Sequence, residues 1–252
     1  MSEASDCDAA PTAEHKLQLA RLQCELDAVR QELQEFTYAV SHDLRAPLRH
    51  IKAFAQIIQE DLPDLPADLA GHLATIGQSA QLLTLQLDGL TALSRLALQP
   101  VKLVPVDTRL LLLSVVDELT QLCAPRVLQW QMAAEWPTLQ ADTGLLRQVL
   151  AQVLDNACKF TRSRNPALIS LSWTPSTHGR CSLNVQDNGV GFQSEQAGQL
   201  FKVFARLHPA REFDGLGLGL VSCRRMLARI NGDIGISAAP GAGCLVCIGL
   251  PM

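Results

Sequence analysis

The chain has 252 residues, of which 48% are hydrophobic, 18% charged and 4% aromatic, and its formal net charge is −4. This length fits one large domain or two small ones, and the apolar share suffices for a packed core, which argues against a disordered chain. The weak negative charge argues against a nucleic-acid-binding protein. The polar, acidic first fifteen residues are unlike a secretory signal, and no apolar run reaches the roughly 18 residues of a membrane span.

The eight cysteines are scattered along the chain. Without a secretion signal they indicate reduced thiols and a cytoplasmic protein. Cys244 and Cys247 form a C-x-x-C pair inside a segment that is typical of a strand. Residues three apart on a strand face opposite sides, so we interpret both as core thiols rather than as a metal site.

The first long segment is predicted to be a coiled-coil helix that follows a flexible stretch at residues 1–15. Its apolar residues recur in steps of three and four, which is the heptad pattern. The steps become four and four near Pro47, so a special feature is expected around residues 40–48. The apolar positions of this seam are Leu19, Leu22, Leu26, Val29, Leu33, Phe36 and Val40.

A second helix is predicted after residues 61–68, where two prolines interrupt the first. Two long helices joined by a short loop form an antiparallel hairpin. One hairpin does not cover both seams, so residues 16–98 are predicted to form a homodimeric four-helix bundle. The alternative is a hairpin packed on the second domain of its own chain. The second seam consists of Leu69, Leu73, Ile76, Ala80, Leu83, Leu87 and Leu90.

A proline-punctuated linker at residues 99–106 is predicted to lead into a second domain over residues 107–252. There, helical stretches are interspersed with strand pairs, which is typical of an α+β sandwich with helices on one face. Helices are predicted at 108–122, 142–161, 194–204 and 219–231, and strands at 126–132, 167–173, 180–187, 233–239 and 243–250.

His42 lies between two seam positions of the first helix and is therefore expected to point away from the seam, toward solvent. Neutral imidazole is a nucleophile near pH 7, and the adjacent Asp43 can orient the ring or accept its proton. Arg45 and Arg49 supply positive charge with which an incoming phosphate can be stabilised.

Three clusters of the second domain carry amide side chains, charged side chains or glycines. Asn156 offers an oxygen of the kind that Mg²⁺ accepts, and Lys159 offers a point charge for phosphate. Asp187 precedes two glycines in DNGVGF, where it can accept a hydrogen bond from a base amine while the backbone bends closely around it. GLGLGL (215–220) opens a helix, so backbone N–H groups there can approach phosphates.

Together, these motifs resemble those of the sensor histidine kinases of two-component signalling, from about residue 34 to the C-terminus. FTYAVSHDLRAPLRHI resembles the H-box, LLRQVLAQVLDNACKFT the N-box, DNGVGF and GLGLGL the two glycine boxes, and LFKVF the phenylalanine box, with Phe201 and Phe204. FARLHPAREFDGLGLGL is similar to the phytochrome-like branch. The resemblance implies a HisKA-type dimerisation and phosphotransfer domain and a GHKL-type (Bergerat) ATP-binding α/β sandwich.

The resemblance also implies roles for single residues. His42 would accept the γ-phosphoryl group of ATP, assisted by Asp43, and an aspartate in the receiver domain of a separate response regulator would take it over. Asp187 would bind the adenine amino group, Asn156 the Mg²⁺ ion and Lys159 a phosphate. The other implied ATP-binding residues are Phe160, Gly189, Gly191, Gly215, Leu216, Gly217, Leu218 and Gly219.

Three positions near these motifs stay open. The residue one turn before Asn156 is usually Asn in the family and is Gln152 here, which keeps the amide on a longer arm, so that a metal contact is possible. The residue four after the histidine is often Thr or Asn and is Ala46 here, so weak or absent phosphatase activity is expected. A short lid is expected at residues 205–214; His208 within it needs no role, and a phosphate contact is its minor alternative.

Two other functions compete with the kinase. One is a non-catalytic phosphotransfer or scaffold dimer with a degenerate nucleotide domain. The other is a different GHKL-type ATPase, such as an anti-sigma type serine kinase or a chaperone-like clamp. About 33 residues precede the H-box resemblance, too few for a sensory domain. The heptad seam there is expected either to receive a signal from an upstream sensor protein or to continue a coiled coil with it.

Overall fold

The computed structural model describes residues 13–62, 64–96, 99–176, 179–209 and 211–252. The chain divides into two compact units, Met1–Ala97 and Leu98–Met252. The predicted flexible start lies outside the described residues as far as residue 12. None of the helices in the described part of the chain combines the length and hydropathy that a bilayer crossing requires.

The first unit is a pair of helices, α1 (Ala13–Asp61) and α2 (Ala67–Arg95). α1 continues through Pro47, although a proline cannot donate the backbone hydrogen bond of a helix at that position. Arg45 and Asp88 form an ion pair at 2.8 Å. Nearer the loop, the side chain of Gln59 donates to the carbonyl of Ala70 at 3.3 Å. The paired residues are closer together in the sequence the nearer they lie to the loop, and this confirms the antiparallel hairpin.

Most of the large apolar side chains of the two seams are exposed in this unit. Burial between the two helices is confined to a few side chains, among them Ala55, Ala80 and Leu93. The packing of α1 on α2 therefore leaves most of the large apolar side chains of both faces exposed. The exposed seam residues include Leu22, Leu26, Val29, Leu33, Phe36, Val40, Leu69, Ile76 and Leu83.

The second unit is an α/β sandwich, as the sequence predicted. Its helices are α3 (Thr108–Leu122), α4 (Thr143–Phe160) and α5 (Gly219–Arg229), with a 3₁₀ helix at Ser194–Phe201. Its strands are β1 (Val104–Asp107), β2 (Leu128–Met132), β3 (Thr138–Ala141), β4 (Ala167–Ser176), β5 (Arg180–Asp187), β6 (Asp233–Ala239) and β7 (Gly243–Pro251).

Five strands form one mixed sheet in the order β2-β4-β5-β7-β6, in which β2 and β4 run parallel and the other neighbours antiparallel. Alternate residues of the central strands, such as Leu183, Val185 and Ile248, are buried beneath the helices. This alternation is the pattern of a sheet that carries its helices on one face.

Three elements differ from the sequence predictions. β1 and β3 pair antiparallel in a small separate sheet that was not predicted, and β1 begins inside the predicted linker. Each has four residues, which is too short for an alternating pattern to stand out. The segment predicted as a helix at 194–204 is a 3₁₀ helix that ends at Phe201.

α4 brings the N-box residues to the site. Asp142 caps its start by accepting a hydrogen bond from the backbone N–H of Leu145 at 3.0 Å. One face of the helix is fully buried, and Leu146, Leu150 and Leu154 are each 0% exposed. Because this face is fixed against the sheet, the polar residues on the flanking face are held in a constant orientation.

Candidate functional site

A cavity of about 540 Å³ lies in the second unit, bounded by α4, by β5 and β7 and by the lid at 205–214. This volume is typical of a small-molecule pocket. The cavity brings together every ATP-binding residue expected in this unit except Gly189, which does not line it. The expected residues that line it are Asn156, Lys159, Phe160, Asp187, Gly191, Gly215, Leu216, Gly217, Leu218 and Gly219.

Lys159 is a half-buried cation on the α4 wall of the cavity. Its Nζ donates to Asn156 Oδ1 at 3.1 Å and lies 4.6 Å from the centroid of the Phe160 ring. Burial lowers the pKa of Lys159, and the guanidinium groups of Arg206 and Arg162 lower it further, against the opposing effect of nearby carboxylates. An anion bound here would relieve the cost of keeping this ammonium charged.

Asp187 is a buried carboxylate, 6% exposed, at the end of β5. Its Oδ1 accepts a hydrogen bond from the backbone N–H of Gly189 at 2.7 Å. Burial raises the pKa of Asp187, and the backbone N–H groups of Gly189 and Cys244 oppose that shift. A Cβ at Gly189 would lie 2.7 Å from both Asp187 Oδ1 and the Phe160 carbonyl oxygen, so this turn requires glycine.

The second glycine box forms the start of α5. Gly217 has a φ of +71°, and a Cβ there would lie 2.5 Å from the Ala205 carbonyl oxygen. The first helical residue is Gly219, and the residue before it, Leu218, has no side-chain acceptor with which to cap the helix. The first N–H groups of α5 are therefore left to face the cavity, where they favour an anion.

Gln152 packs directly against the second glycine box. A Cβ at Gly219 would lie 2.7 Å from Cδ of Gln152, so the amide group touches the backbone where α5 begins. Asn156 lies one turn further along α4, on the same face. In the part of the chain that the structure describes, no three His, Cys, Asp or Glu side chains form a metal cluster. An amide oxygen, such as that of Asn156, is a ligand that Mg²⁺ accepts, and Mg²⁺ also keeps several waters and binds phosphate oxygens.

The structure adds cavity residues to which the sequence analysis had given no role or only a minor one. Arg206 Nη1 donates to the Gly215 carbonyl oxygen at 2.7 Å, and its Nη2 donates to the carbonyl of Phe213. Arg206 and Phe213 lie between the phenylalanine box and the second glycine box. Their position next to the motifs was the signal in the sequence that could have identified them. Their contacts, however, depend on the path of the loop between the two boxes. The added lining residues include Arg162, Arg206, His208, Phe213, Asp214 and Cys244.

Cys244 and Cys247 differ from simple core thiols in their surroundings. Both are half-buried, and Cys244 lines the cavity beside Asp187. Burial, with the neighbouring Asp187 and Cys247, raises the pKa of Cys244 to about 12. The thiol therefore stays protonated and unreactive near neutral pH.

His42 lies in the other unit, on α1. Its side chain is 68% exposed, as predicted, and its Nδ1 lies 3.2 Å from Asp43 Oδ1. A carboxylate only accepts, so Nδ1 is the donor in this contact, and in the neutral ring the lone pair then lies on Nε2, on the opposite side. Tyr38 stacks nearby, with ring centroids 6.4 Å apart. Arg45 donates to Asp88, so its charge is already paired.

Two family models match the chain, one for each unit. Residues 32–99 match the His Kinase A (phospho-acceptor) domain, and residues 141–252 match the histidine kinase-, DNA gyrase B- and HSP90-like ATPase. The chain therefore has the two domains of a histidine kinase core, a phospho-acceptor domain followed by an ATPase domain. A phospho-acceptor domain ahead of the ATPase domain leaves the anti-sigma and chaperone-like alternatives without support.

Relatives and solved structures of this family cover most of the chain. It is 30% identical over 232 residues to the methanogenesis regulatory histidine kinase FilI of Methanothrix harundinacea (strain 6Ac), covering 90% of this chain and 25% of FilI. It is 25% identical to the phytochrome-like protein Cph1 of Synechocystis sp., covering 93% of this chain and 31% of Cph1. The chain thus spans a quarter to a third of these two relatives.

A solved histidine kinase structure has the same fold. Full-length ShkA in complex with AMPPNP superimposes with a TM-score of 0.60 and 26% identity, covering 86% of this chain and 45% of ShkA. The architecture of both units is thus that of a histidine kinase core.

Proposed function

We propose that this chain is an ATP-dependent protein-histidine kinase that phosphorylates His42 and passes the phosphoryl group to an aspartate of a separate response regulator. The observation that carries the proposal is that one cavity combines a buried carboxylate, Asp187, with a set of anion-binding groups. Those groups are Lys159 and the uncapped start of α5. The carboxylate suits a base amine, and the anion-binding groups suit a polyphosphate.

In the proposed complex, Asp187 accepts a hydrogen bond from the adenine amino group. Lys159 and the N–H groups that follow Leu218 hold the phosphates, whose negative charge compensates the desolvated ammonium. Asn156 would hold Mg²⁺, with Gln152 as a possible second amide. The ion, when bound, neutralises charge on the phosphate oxygens.

Transfer would begin at His42 Nε2. The Nε2 lone pair attacks the γ-phosphorus while the bond to the β,γ-bridging oxygen breaks and ADP leaves. Asp43 holds the Nδ1 proton and stabilises the positive charge that develops on the ring. The receiver aspartate then attacks the phosphoryl group, and the N–P bond breaks to return neutral His42.

The exposed seams support the homodimer. Two copies of the hairpin can cover the apolar faces that α1 and α2 leave open, which gives a four-helix bundle. The upstream part of α1 would receive a signal from a sensor. We place the reaction in the cytoplasm, where ATP is available.

Labelling with [γ-³²P]ATP and Mg²⁺ tests the kinase. The parent chain is expected to acquire label that is lost in acid and retained in base, as for a phosphoramidate. His42→Gln is expected to acquire none, whereas the control His50→Gln, on the same helix, labels like the parent. Equal labelling of His42→Gln would refute the role of His42, and an unlabelled parent would favour the scaffold alternative.

Adding a phosphorylated cognate regulator with ADP tests the role of Ala46. Because alanine has no group with which to orient water, we expect regulator phosphate to be lost at its spontaneous rate. Rapid loss on addition of this chain would contradict that expectation, and Ala46→Thr is the variant expected to gain the activity.

A further inference from the structure

His208 joins the lid to the first glycine box. Its Nε2 lies 3.1 Å from the carbonyl oxygen of Gly191. A carbonyl only accepts, so Nε2 is the donor and carries the hydrogen.

The ring of His208 is also held by aromatic packing. Its centroid lies 5.6 Å from that of Phe160, at the end of α4, and 5.3 Å from that of Phe213, in the lid. Phe160 and Phe213 are themselves 4.9 Å apart, which closes a triangle of three rings. Aromatic pairs at these distances add to the free energy of burial. All three side chains line the cavity.

The acceptor of the hydrogen bond is rigidly placed. Gly191 has a φ of +61°, and a Cβ there would lie 2.0 Å from the Ala239 carbonyl oxygen. The loop is tied to the neighbouring turn by the hydrogen bond from Gly241 N–H to the Val190 carbonyl, at 2.7 Å. The side chain of Arg164 donates to the carbonyls of Gly189 and Gly241. The described part of the lid, in contrast, contains no helix or strand.

We propose that His208 is a positioning residue that fastens the lid to the base end of the nucleotide cavity, which we name the His208 latch. The latch rests on the proposed function, in which Asp187 binds the base. Gly191 follows Asp187 by four residues in the same loop, and it therefore marks the base end of the cavity. A latch at this end acts on the retention of the nucleotide, not on the phosphoryl transfer step. ATP and ADP carry the same base, so both are expected to be retained by it equally.

Three substitutions in the full chain separate the two contacts of the latch. His208→Gln keeps an N–H donor but no ring, His208→Phe keeps a ring but no donor, and His208→Ala removes both. The control is His72→Phe, on α2. The readouts are the dissociation rate of mant-ADP by stopped flow, displacement by unlabelled ATP and ADP, and the kcat and KM of autophosphorylation.

The expected results follow from the strength of one hydrogen bond and one ring contact. His208→Ala is expected to speed dissociation about tenfold, and His208→Gln and His208→Phe about two- to fivefold each. Affinity for ATP and ADP should fall by the same factor, KM for ATP should rise, and kcat at saturating ATP should change by less than about twofold.

Each other outcome overturns a defined claim. If all three variants release mant-ADP at the parental rate, the latch is wrong. If His208→Phe weakens ATP much more than ADP, His208 contacts phosphate and the latch is equally wrong. If the parent chain does not bind mant-ADP while its circular dichroism shows it folded, the proposed function fails, and the latch with it.

Discussion

The two units of this chain use apolar residues in opposite ways. On α4, Leu146, Leu150 and Leu154 are completely buried in a core that the second unit builds by itself. On α1, Leu33 and Phe36 are 63% and 66% exposed, although they belong to an equally regular apolar pattern. The same periodicity therefore marks a closed core in one unit and an open face in the other, because a lone helix pair has no layer with which to cover it.

The chemistry of each unit follows the same division. Asp187 and Lys159 lie in a desolvated cavity, where burial changes the pKa of both groups and strengthens contacts with a ligand. His42 lies on an open helix surface. The proposed function calls for the same division, because the nucleotide site would hold one ligand, whereas His42 would meet a phosphate donor and a phosphate acceptor in turn.

The largest effect is expected from a charge placed in the open seam. Leu33→Glu removes apolar burial from both copies of the proposed dimer, about 3–6 kcal/mol in total, so the dissociation constant should rise roughly 100-fold or more. The matched control is Gln31→Glu, which adds the same charge on the opposite face of the helix. Sedimentation velocity measures the change, and an unchanged dimer would show that this seam is not the interface.

A cavity in the closed core is expected to have the next largest effect. Leu150→Ala should lower the free energy of unfolding by about 2–5 kcal/mol, because a fully buried leucine leaves a void in a layer with little freedom to collapse. The three tryptophans, at 130, 136 and 173, all lie in the second unit, so urea unfolding followed by fluorescence reports on it alone. Leu33→Ala should leave that transition in place; an equal shift would mean that the two units unfold as one.

A glycine of the cavity wall should have a smaller, local effect. Gly191→Ala combines a left-handed φ with overlap on the Ala239 carbonyl, and should cost about 1–3 kcal/mol and weaken nucleotide binding. Gly198→Ala is the control, since a Cβ there meets nothing within 4 Å. Thermal unfolding and mant-ADP titration should change for Gly191→Ala only; equal behaviour of the two variants would contradict a rigid first glycine box.

The smallest effect is expected for the thermal stability of the nucleotide-free chain when Asp187 is replaced, and its direction depends on pH. Because burial raises its pKa in the folded chain, folding favours the protonated carboxyl, and the ionised form costs stability above that raised pKa. Asp187→Asn stays neutral and can still accept from the Gly189 N–H. It should therefore raise the midpoint of thermal unfolding at neutral pH, while nucleotide binding is lost.

This gain in stability should shrink as the pH falls, and should vanish below the ordinary pKa of an aspartate, where Asp187 is protonated in both the folded and the unfolded chain. The control is the exposed Asp117→Asn, on α3. A destabilising Asp187→Asn would show that its carboxylate supports the fold instead of serving the ligand.

Much of the second unit was readable from local pattern. α3 runs from Thr108 to Leu122 as predicted, because its apolar period is regular and Asp107 caps its start with a hydrogen bond to the N–H of Leu110 at 3.0 Å. β5 also has its predicted bounds. The pair of β1 and β3 was missed, since four-residue strands that pair across some thirty residues leave no local signal.

The sequence by itself determined which residue types the site contains and the order of its motifs. Asn156, Asp187 and the glycines were all identifiable because their chemistry and spacing are local properties. The helical hairpin was likewise predictable from a seam of three- and four-residue steps.

Only the tertiary structure decided how these residues meet. Gln152 packs against Gly219, and His208 donates to the carbonyl oxygen of Gly191. In both contacts, the two residues lie far apart in the chain. Arg45, expected to be available to phosphate, is paired with Asp88 on the other helix. Such contacts depend on the paths of loops and on the packing of separate elements. A sequence pattern does not give the spatial distances between residues of different elements.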